Sequence, residues 1–103
     1  MQLLTRALED RFARIGSQED NPDPLIIARF FNPTGIGTWY ATEYDPQTRT
    51  FFGYASIFGD HNDEWGYFSL DELEAYRGTF GTGIERDLYF REQPVSQVIQ
   101  QTS

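Results

Sequence analysis

The chain of 103 residues contains no cysteine and no lysine. The absence of cysteine excludes disulfides, thiolate nucleophiles and every zinc site that depends on sulfur ligands. The absence of lysine excludes Schiff-base chemistry at a lysine side chain and a phosphate-binding loop of the Walker type. All eight basic residues are therefore arginines.

Long apolar runs are also missing. The N-terminal segment MQLLTRALEDRF carries Arg6, Glu9 and Asp10, where a signal peptide requires an unbroken apolar stretch. No later segment approaches the roughly 18 apolar residues that a membrane-spanning helix needs. The sequence therefore predicts a cytoplasmic protein that makes no contact with a membrane.

The charge is strongly one-sided, with sixteen acidic residues against eight basic ones and a formal net charge of −8. This balance opposes general attraction to nucleic-acid phosphates or to anionic lipid. We therefore expect no direct nucleic-acid binding and a partner with a basic surface. Nine Phe, six Tyr and two Trp predict a core rich in aromatic rings, which favour strands.

The length of the chain predicts a single domain over residues 1–103. Apolar residues at helical spacing, with Gly16 to end the element, indicate an amphipathic N-terminal helix over 3–15. The polar segment 17–24 is typical of an exposed connector. Alternating apolar and polar residues then predict five strands, namely 24–32, 37–45, 49–58, 64–70 and 84–92.

Short connections between these strands favour an antiparallel, meander-like sheet. We predict an α+β fold, with the N-terminal helix (1–16) packed on one face of a β-rich core (24–92), a short helix near 70–77, and a tail (93–103) that needs docking. Strict alternation in the second strand places Trp39, Ala41 and Glu43 on one face. Arg29, between apolar neighbours, requires a carboxylate partner if its guanidinium is buried.

The most acidic part of the sequence is GDHNDEWGYFSLDELE, residues 59–74. Its second half is explained by local structure, because Ser69 and Glu72 have the spacing of a helix capping box. Its first half has the spacing of a calcium loop but has Trp65 where the loop glycine is required. The lone histidine, His61, is typical of a solvated turn. We predict no catalytic, cofactor or metal residues.

The residues left without a structural explanation are Asp60, Asp63, Glu64 and Trp65. Two interpretations remain open for this cluster, a solvated hairpin loop or part of a partner-binding rim. Trp65 alternates with Tyr67 at the start of a predicted strand, so the sequence leaves open whether Trp65 is buried in the core or exposed. We take these four residues as the partner-binding candidates.

Several segments resemble a family of uncharacterised bacterial proteins known as domain of unknown function 2958. The resemblance covers residues 24–92, and its most specific pieces are TWYATEYD, FFGY, GYFSLDELE and IERDLYF. It implies no known activity. It does imply association with plasmids and other mobile genetic elements, often beside anti-restriction proteins. The loop before GYFSL is longer and more acidic here than the family pattern, so a family-wide role is not carried onto it.

Three functions are compatible with these features. The first is a protein-interaction module of a mobile genetic element, which inhibits a nucleic-acid-targeting host defence protein by partial phosphate mimicry or by steric blocking. The second is a small carboxylate-dependent enzyme, which requires a concave pocket lined by paired acids. The third is a single-strand nucleic-acid binder that uses Tyr40, Trp39 or Trp65 as stacking platforms, although such proteins combine their rings with a positive groove.

The capping box generates the first prediction. Ser69→Ala removes the acceptor of an otherwise unsatisfied helix amide, so we expect the free energy of unfolding to fall by about 1 kcal/mol. Urea denaturation of the variant and the wild type measures this difference. An unchanged denaturation midpoint would remove the capping explanation of SLDELE.

Overall fold

The computed structural model describes residues 2–56 and 64–99. Within these ranges the chain forms helices and short strands that confirm the predicted α+β class. The helices are α1 (Arg6–Ile15), α2 (Leu70–Ala75) and α3 (Val95–Ile99), with a 3-10 turn at Thr79–Gly81. The strands are β1 (Leu25–Ile26), β2 (Ala28–Phe31), β3 (Thr38–Asp45), β4 (Thr50–Ser56), β5 (Glu64–Ser69), β6 (Glu85–Arg86) and β7 (Gln93–Pro94).

Five of the strands form one antiparallel sheet, as the sequence predicts, and their order is β5-β4-β3-β2-β6. Strands β2 to β5 form a meander, while β6 returns to the opposite edge and pairs Arg86 with Phe30. The segment predicted as a strand over 84–92 contributes only β6 to the sheet. The chain turns away after the amide of Asp87 donates to the Arg29 carbonyl.

The segment predicted as one strand over 24–32 is divided in two. Strand β1 pairs with β7 in a separate two-stranded sheet, whereas β2 joins the main sheet. Within the described residues, the C-terminal segment packs on β1, since Val95 and Val98 are buried against Ile26. The Asp23 carboxylate accepts hydrogen bonds from the amide and the hydroxyl of Ser96, at 2.9 and 2.6 Å, and so fixes the start of α3.

Both principal helices begin at side-chain caps. Thr5 accepts from the Leu8 amide at the start of α1, which begins at Arg6 rather than at residue 3. Ser69 accepts from the Glu72 amide at 3.2 Å, which confirms the predicted cap of α2. Helix α2 ends at Ala75 rather than at residue 77, because the backbone is already extended at the next residue.

Helix α1 covers one face of the sheet, as predicted, and the core between them consists of aromatic rings. Phe51 is fully buried at its centre. The Phe51 ring centroid lies 5.1 Å from that of Phe30, 5.7 Å from that of Phe12 and 4.9 Å from that of Tyr44. Burial of the Tyr44 ring in this cluster raises the pKa of its hydroxyl.

A β-bulge in β3 changes the predicted alternation of that strand. Ala41 pairs with Gly53 and Glu43 pairs with Phe52, so Thr42 has no partner of its own. The extra residue reverses the side-chain sequence beyond it. Tyr44 therefore joins Trp39 and Ala41 at the α1 face, and the prediction that Glu43 shares their face is wrong.

Gly53 permits the close backbone contact opposite this bulge. A methyl group at Gly53 would overlap the Tyr40 carbonyl oxygen and would lie 2.9 Å from its carbonyl carbon. A methyl group at Gly66, the direct partner of Gly53 on β5, would meet nothing within 4 Å. A side chain would therefore clash with the backbone at Gly53 but not at Gly66.

This difference gives a matched pair of variants. Gly53→Ala forces the β3 and β4 backbones apart, and we expect it to lower the free energy of unfolding by about 2 to 4 kcal/mol. Gly66→Ala reduces the freedom of the unfolded chain without a clash, so its unfolding free energy should stay equal or rise by about 0.5 kcal/mol. Urea denaturation compares them, and similar losses in both variants would contradict this account of the bulge.

Candidate functional site

The sheet has a second face, opposite α1, on which Trp65 and Tyr67 are exposed. We call it the open face. Cross-strand pairing brings Arg29, Tyr40, Tyr54 and Trp65 into one row across four strands. Side chains of directly paired residues project from the same side of a sheet, so these residues share the open face.

Five rings on the open face touch one another in a continuous series, here called the aromatic ladder. Its members are Tyr40, Tyr54, Trp65, Phe52 and Tyr67. The Tyr40 and Tyr54 centroids lie 6.4 Å apart and those of Tyr54 and Trp65 lie 5.7 Å apart. Phe52 stacks on Trp65 at 6.0 Å and meets Tyr67 edge-on at 5.0 Å. Such contacts hold each ring in a fixed orientation.

The two ends of the ladder differ in exposure. At one end, the Tyr40 ring meets Phe90 at 6.5 Å and packs with the residues around α3. At the other end, Trp65 is 39% exposed and Tyr67 is 79% exposed. Rings that are oriented by neighbours but open to solvent are suited to contact a second molecule.

A groove of about 480 Å³ runs between this open end and the connector that follows α1. We call it the connector groove. It is lined by residues of the connector, the bulge and the ladder, namely Gln18, Glu19, Asn21, Pro22, Pro24, Thr42, Glu43, Phe52, Trp65 and Tyr67. The ladder contributes three aromatic rings to this lining, and the connector supplies polar atoms and two prolines.

Gln18 holds the connector in place. Its side-chain amide donates to the carbonyl oxygens of Leu25 and Thr42, both at 2.8 Å, and its oxygen accepts from the Leu25 amide at 2.7 Å. Its backbone amide donates to the Glu43 carboxylate at 3.2 Å. Gln18 is buried, so the interpretation of 17–24 as an exposed connector is wrong at this residue.

The charge of the connector groove is negative. Glu19 and Glu43 line it, and its described lining includes no arginine. Arg29, the cation nearest the ladder, is held between the Phe31 and Tyr40 rings, at 5.2 and 5.9 Å from their centroids. Its guanidinium pairs with Asp87 at 3.1 Å, which confirms the carboxylate partner that the sequence predicts.

Other arginines are also committed within the molecule. Arg11 pairs in bidentate fashion with Glu92, at 2.9 Å, and Arg49 pairs with Asp71 at 2.8 Å. Both contacts raise the arginine pKa through hydrogen bonds to the carboxylate. Arg86 donates to the carbonyl oxygens of residues 2 and 3. Three of the eight arginines, namely Arg11, Arg29 and Arg49, are thus paired with carboxylates inside the molecule.

The structure describes two of the four predicted partner-binding residues. Glu64 is exposed at the start of β5 and pairs with Ala55. Trp65 lies on the open face and is exposed, so it is not a core residue. Asp60 and Asp63, like His61, lie outside the described residues, so their part in the predicted rim stays a prediction. Trp39, proposed above as a stacking platform, packs instead against the core under α1.

Sequence reasoning missed most of the connector groove. The alternation of EWGYFS placed Trp65 and Tyr67 on the same side, and this signal was available. Phe52 and Glu43 could not be assigned together, because the bulge at Thr42 reverses the alternation on which such an assignment depends. Nothing in the polar segment 17–24 distinguishes the buried Gln18 from its exposed neighbours.

Two features are absent from the described residues. Over residues 2–56 and 64–99, no group of three or more His, Asp or Glu side chains has the arrangement of a metal site. None of the helices in those ranges is long and apolar enough to cross a membrane.

The fold and the open face define a small α+β domain with an aromatic, acidic groove. The chain belongs to the DUF2958 family, whose model is described as a protein of unknown function and matches residues 3–103. The match includes α1 and the tail, and so extends beyond the segment 24–92 that carried the resemblance. Among curated proteins and among solved structures, no match to the chain was found.

The exposure of Trp65 predicts how much it contributes to stability. Phe51→Ala removes a fully buried ring and should lower the free energy of unfolding by about 3 to 5 kcal/mol. Trp65→Ala removes a ring that is open on one side, so we expect a loss of about 1 to 2 kcal/mol. Chemical denaturation of both variants tests this ranking, and an equal loss would place Trp65 in the core.

Proposed function

We propose that this protein is an acidic protein-interaction module that binds a basic segment of a partner protein on its open face. The proposal rests on one observation, that exposed aromatic rings and carboxylates line the same groove. The exposed rings Trp65 and Tyr67 line the connector groove together with the carboxylates Glu19 and Glu43. Rings and carboxylates together recognise a cationic side chain that carries an apolar stem.

The energetics favour arginine as the anchoring group. A guanidinium over the face of Trp or Tyr gains about 0.5 to 2 kcal/mol, depending on how far it is desolvated. A carboxylate beside it adds a charge-assisted hydrogen bond. The chain's own Arg29 is bound in this way, between two rings and a carboxylate, so the same arrangement is already stable at the other end of the row.

The biological setting of the proposal is a mobile genetic element. The family resemblance supports this setting, and the partner we propose is a nucleic-acid-targeting host defence protein, whose basic surface the module occupies. The dimensions favour steric blocking with partial phosphate mimicry over full mimicry. Along the 33 Å intermediate axis, duplex DNA presents roughly twenty phosphates. The chain has only sixteen acids, and several of them are paired with arginine.

The competing function is single-strand nucleic-acid binding. The observation in its favour is that the ladder presents contacting aromatic rings at one face of the sheet. Proteins of that class place their rings in a positive groove. The connector groove is negative, and Arg29 is engaged by Asp87. These charges support a basic protein segment as the occupant in preference to a phosphate backbone.

The test measures binding of a labelled peptide of about seven residues in which arginine and valine alternate. We expect saturable binding that weakens as salt is added, because the attraction is partly electrostatic. Glu43→Gln should weaken binding by about three- to tenfold, which corresponds to one charge contact. Fluorescence anisotropy measures both effects.

Glu9→Gln is the matched control, since it makes the same change of charge on the exposed surface of α1 and should leave the affinity unchanged. A glutamate–valine peptide controls for apolar binding. Equal losses of affinity in both variants would mean that only the net charge of the chain matters. That result would contradict specific binding in the connector groove. Binding of an oligothymidine strand in competition with the peptide would favour the nucleic-acid function instead.

A further inference from the structure

Strand β5 forms one edge of the main sheet, and within residues 2–56 and 64–99 no strand pairs with its outer side. All six of its residues pair with β4 in one unbroken register. Natural sheets protect such edges with proline, lysine, bulges or very short strands. Strand β5 has none of these features and carries a single charge, Glu64, at its first position. The opposite edge is formed by the two-residue strand β6.

The hydrogen-bond pattern shows which backbone groups face outward. The Leu70 amide donates to the Arg49 carbonyl at 3.0 Å, one step beyond the Thr50–Ser69 pair in the same register. Hydrogen-bonded pairs alternate along an antiparallel ladder. The N–H and C=O groups of Trp65 and Tyr67 therefore point away from β4, toward the outer side of the edge.

A groove lies on each side of this edge. On the open face is the connector groove. On the α1 side, a second groove of about 470 Å³ lies beside α2, and we call it the α2 groove. Its lining is more apolar and includes Ile36, Trp39, Phe68 and Leu73. Tyr67 lines both grooves, so the edge of β5 separates them.

We propose that the basic partner segment binds by adding to β5 as a further strand of the sheet. Successive side chains of a strand point to opposite faces, so such a segment would place one set of alternate residues over Trp65 and Tyr67. The other set would enter the α2 groove. The partner is thus an extended segment in which basic residues alternate with apolar ones. Backbone bonds supply affinity, and the two grooves supply specificity.

Charge argues for this occupant over a second copy of the chain. Each copy carries a formal charge of −8, and pairing two β5 edges would bring two connector grooves, each with Glu19 and Glu43, close together. A basic segment meets the same carboxylates with opposite charge. This inference rests on the proposed function and adds to it the mode of binding.

The test uses the wild-type chain and the alternating arginine–valine peptide in three forms. One form is unmodified, one has N-methyl groups on its arginine amides, and one has them on its valine amides. Alternate N–H groups of an extended strand point to opposite edges. We expect one methylated peptide to lose at least about tenfold in affinity and the other to bind like the unmodified peptide.

The protein side of the interface is tested by two variants of Tyr67. Tyr67→Ala removes the ring and keeps the outward amide, whereas Tyr67→Pro removes both. Because that amide makes no bond to β4, proline at this edge position is tolerated, and a thermal melt checks that the variant is folded. We expect Tyr67→Pro to bind the peptide at least about tenfold more weakly than Tyr67→Ala.

The outcomes separate the two proposals. If the unmodified peptide does not bind, the proposed function fails. If it binds and both methylated forms bind equally well or equally poorly, strand addition is wrong while the binding function stands. If Tyr67→Pro unfolds, the methylated peptides with the wild-type chain decide. A wild-type dimer in sedimentation that Tyr67→Pro converts to a monomer would assign the edge to a second copy and overturn the proposal.

Discussion

The close approach of β3 and β4 at Gly53 is the constraint on which the rest of the structure depends. Gly53 has no side chain, so its backbone can lie against the Tyr40 carbonyl, where a methyl group would overlap the oxygen. This contact lies beside the bulge, where β3 carries the extra residue Thr42 and its alternation reverses. The reversal sends Tyr44 into the ring cluster around Phe51. It also sends Glu43 to the open face, where its carboxylate meets the connector.

The two faces of the sheet then take different roles. Under α1, the rings around Phe51 are buried and hold the helix to the sheet. On the open face, the aromatic ladder is oriented by its own contacts and is covered mainly at its Tyr40 end. The fully buried rings thus lie on the α1 side, whereas Trp65 and Tyr67 on the other side are exposed. Glu19 and Glu43, with no arginine in the described lining, make the connector groove negative.

The parts of the fold that local pattern controls could be predicted from the sequence. The α1 helix, the cap at Ser69 and the four-stranded meander follow from periodicity and turn residues. The return of β6 to the edge beside β2 could not be predicted, because it depends on a long-range contact through Asp87 and Arg29. The bulge at Thr42 could not be predicted either, because it accompanies a contact between two strands, that of Gly53 with the Tyr40 carbonyl. The strand alternation of Trp65 with Tyr67 was visible, but the groove that they share with Gln18 and Glu43 exists only after the bulge and the connector are in place.

The central claim is that the open face binds a basic partner segment, and the two tryptophans allow a direct measurement. Trp65 lies on the open face, while Trp39 packs under α1 and reaches the α2 groove. The chain is labelled with fluorotryptophan, its two fluorine resonances are assigned with a Trp65→Phe variant, and the arginine–valine peptide is added. We expect the Trp65 resonance to shift with the same saturation curve as peptide binding. A Trp65 resonance that stays unchanged while the peptide is bound would contradict the claim.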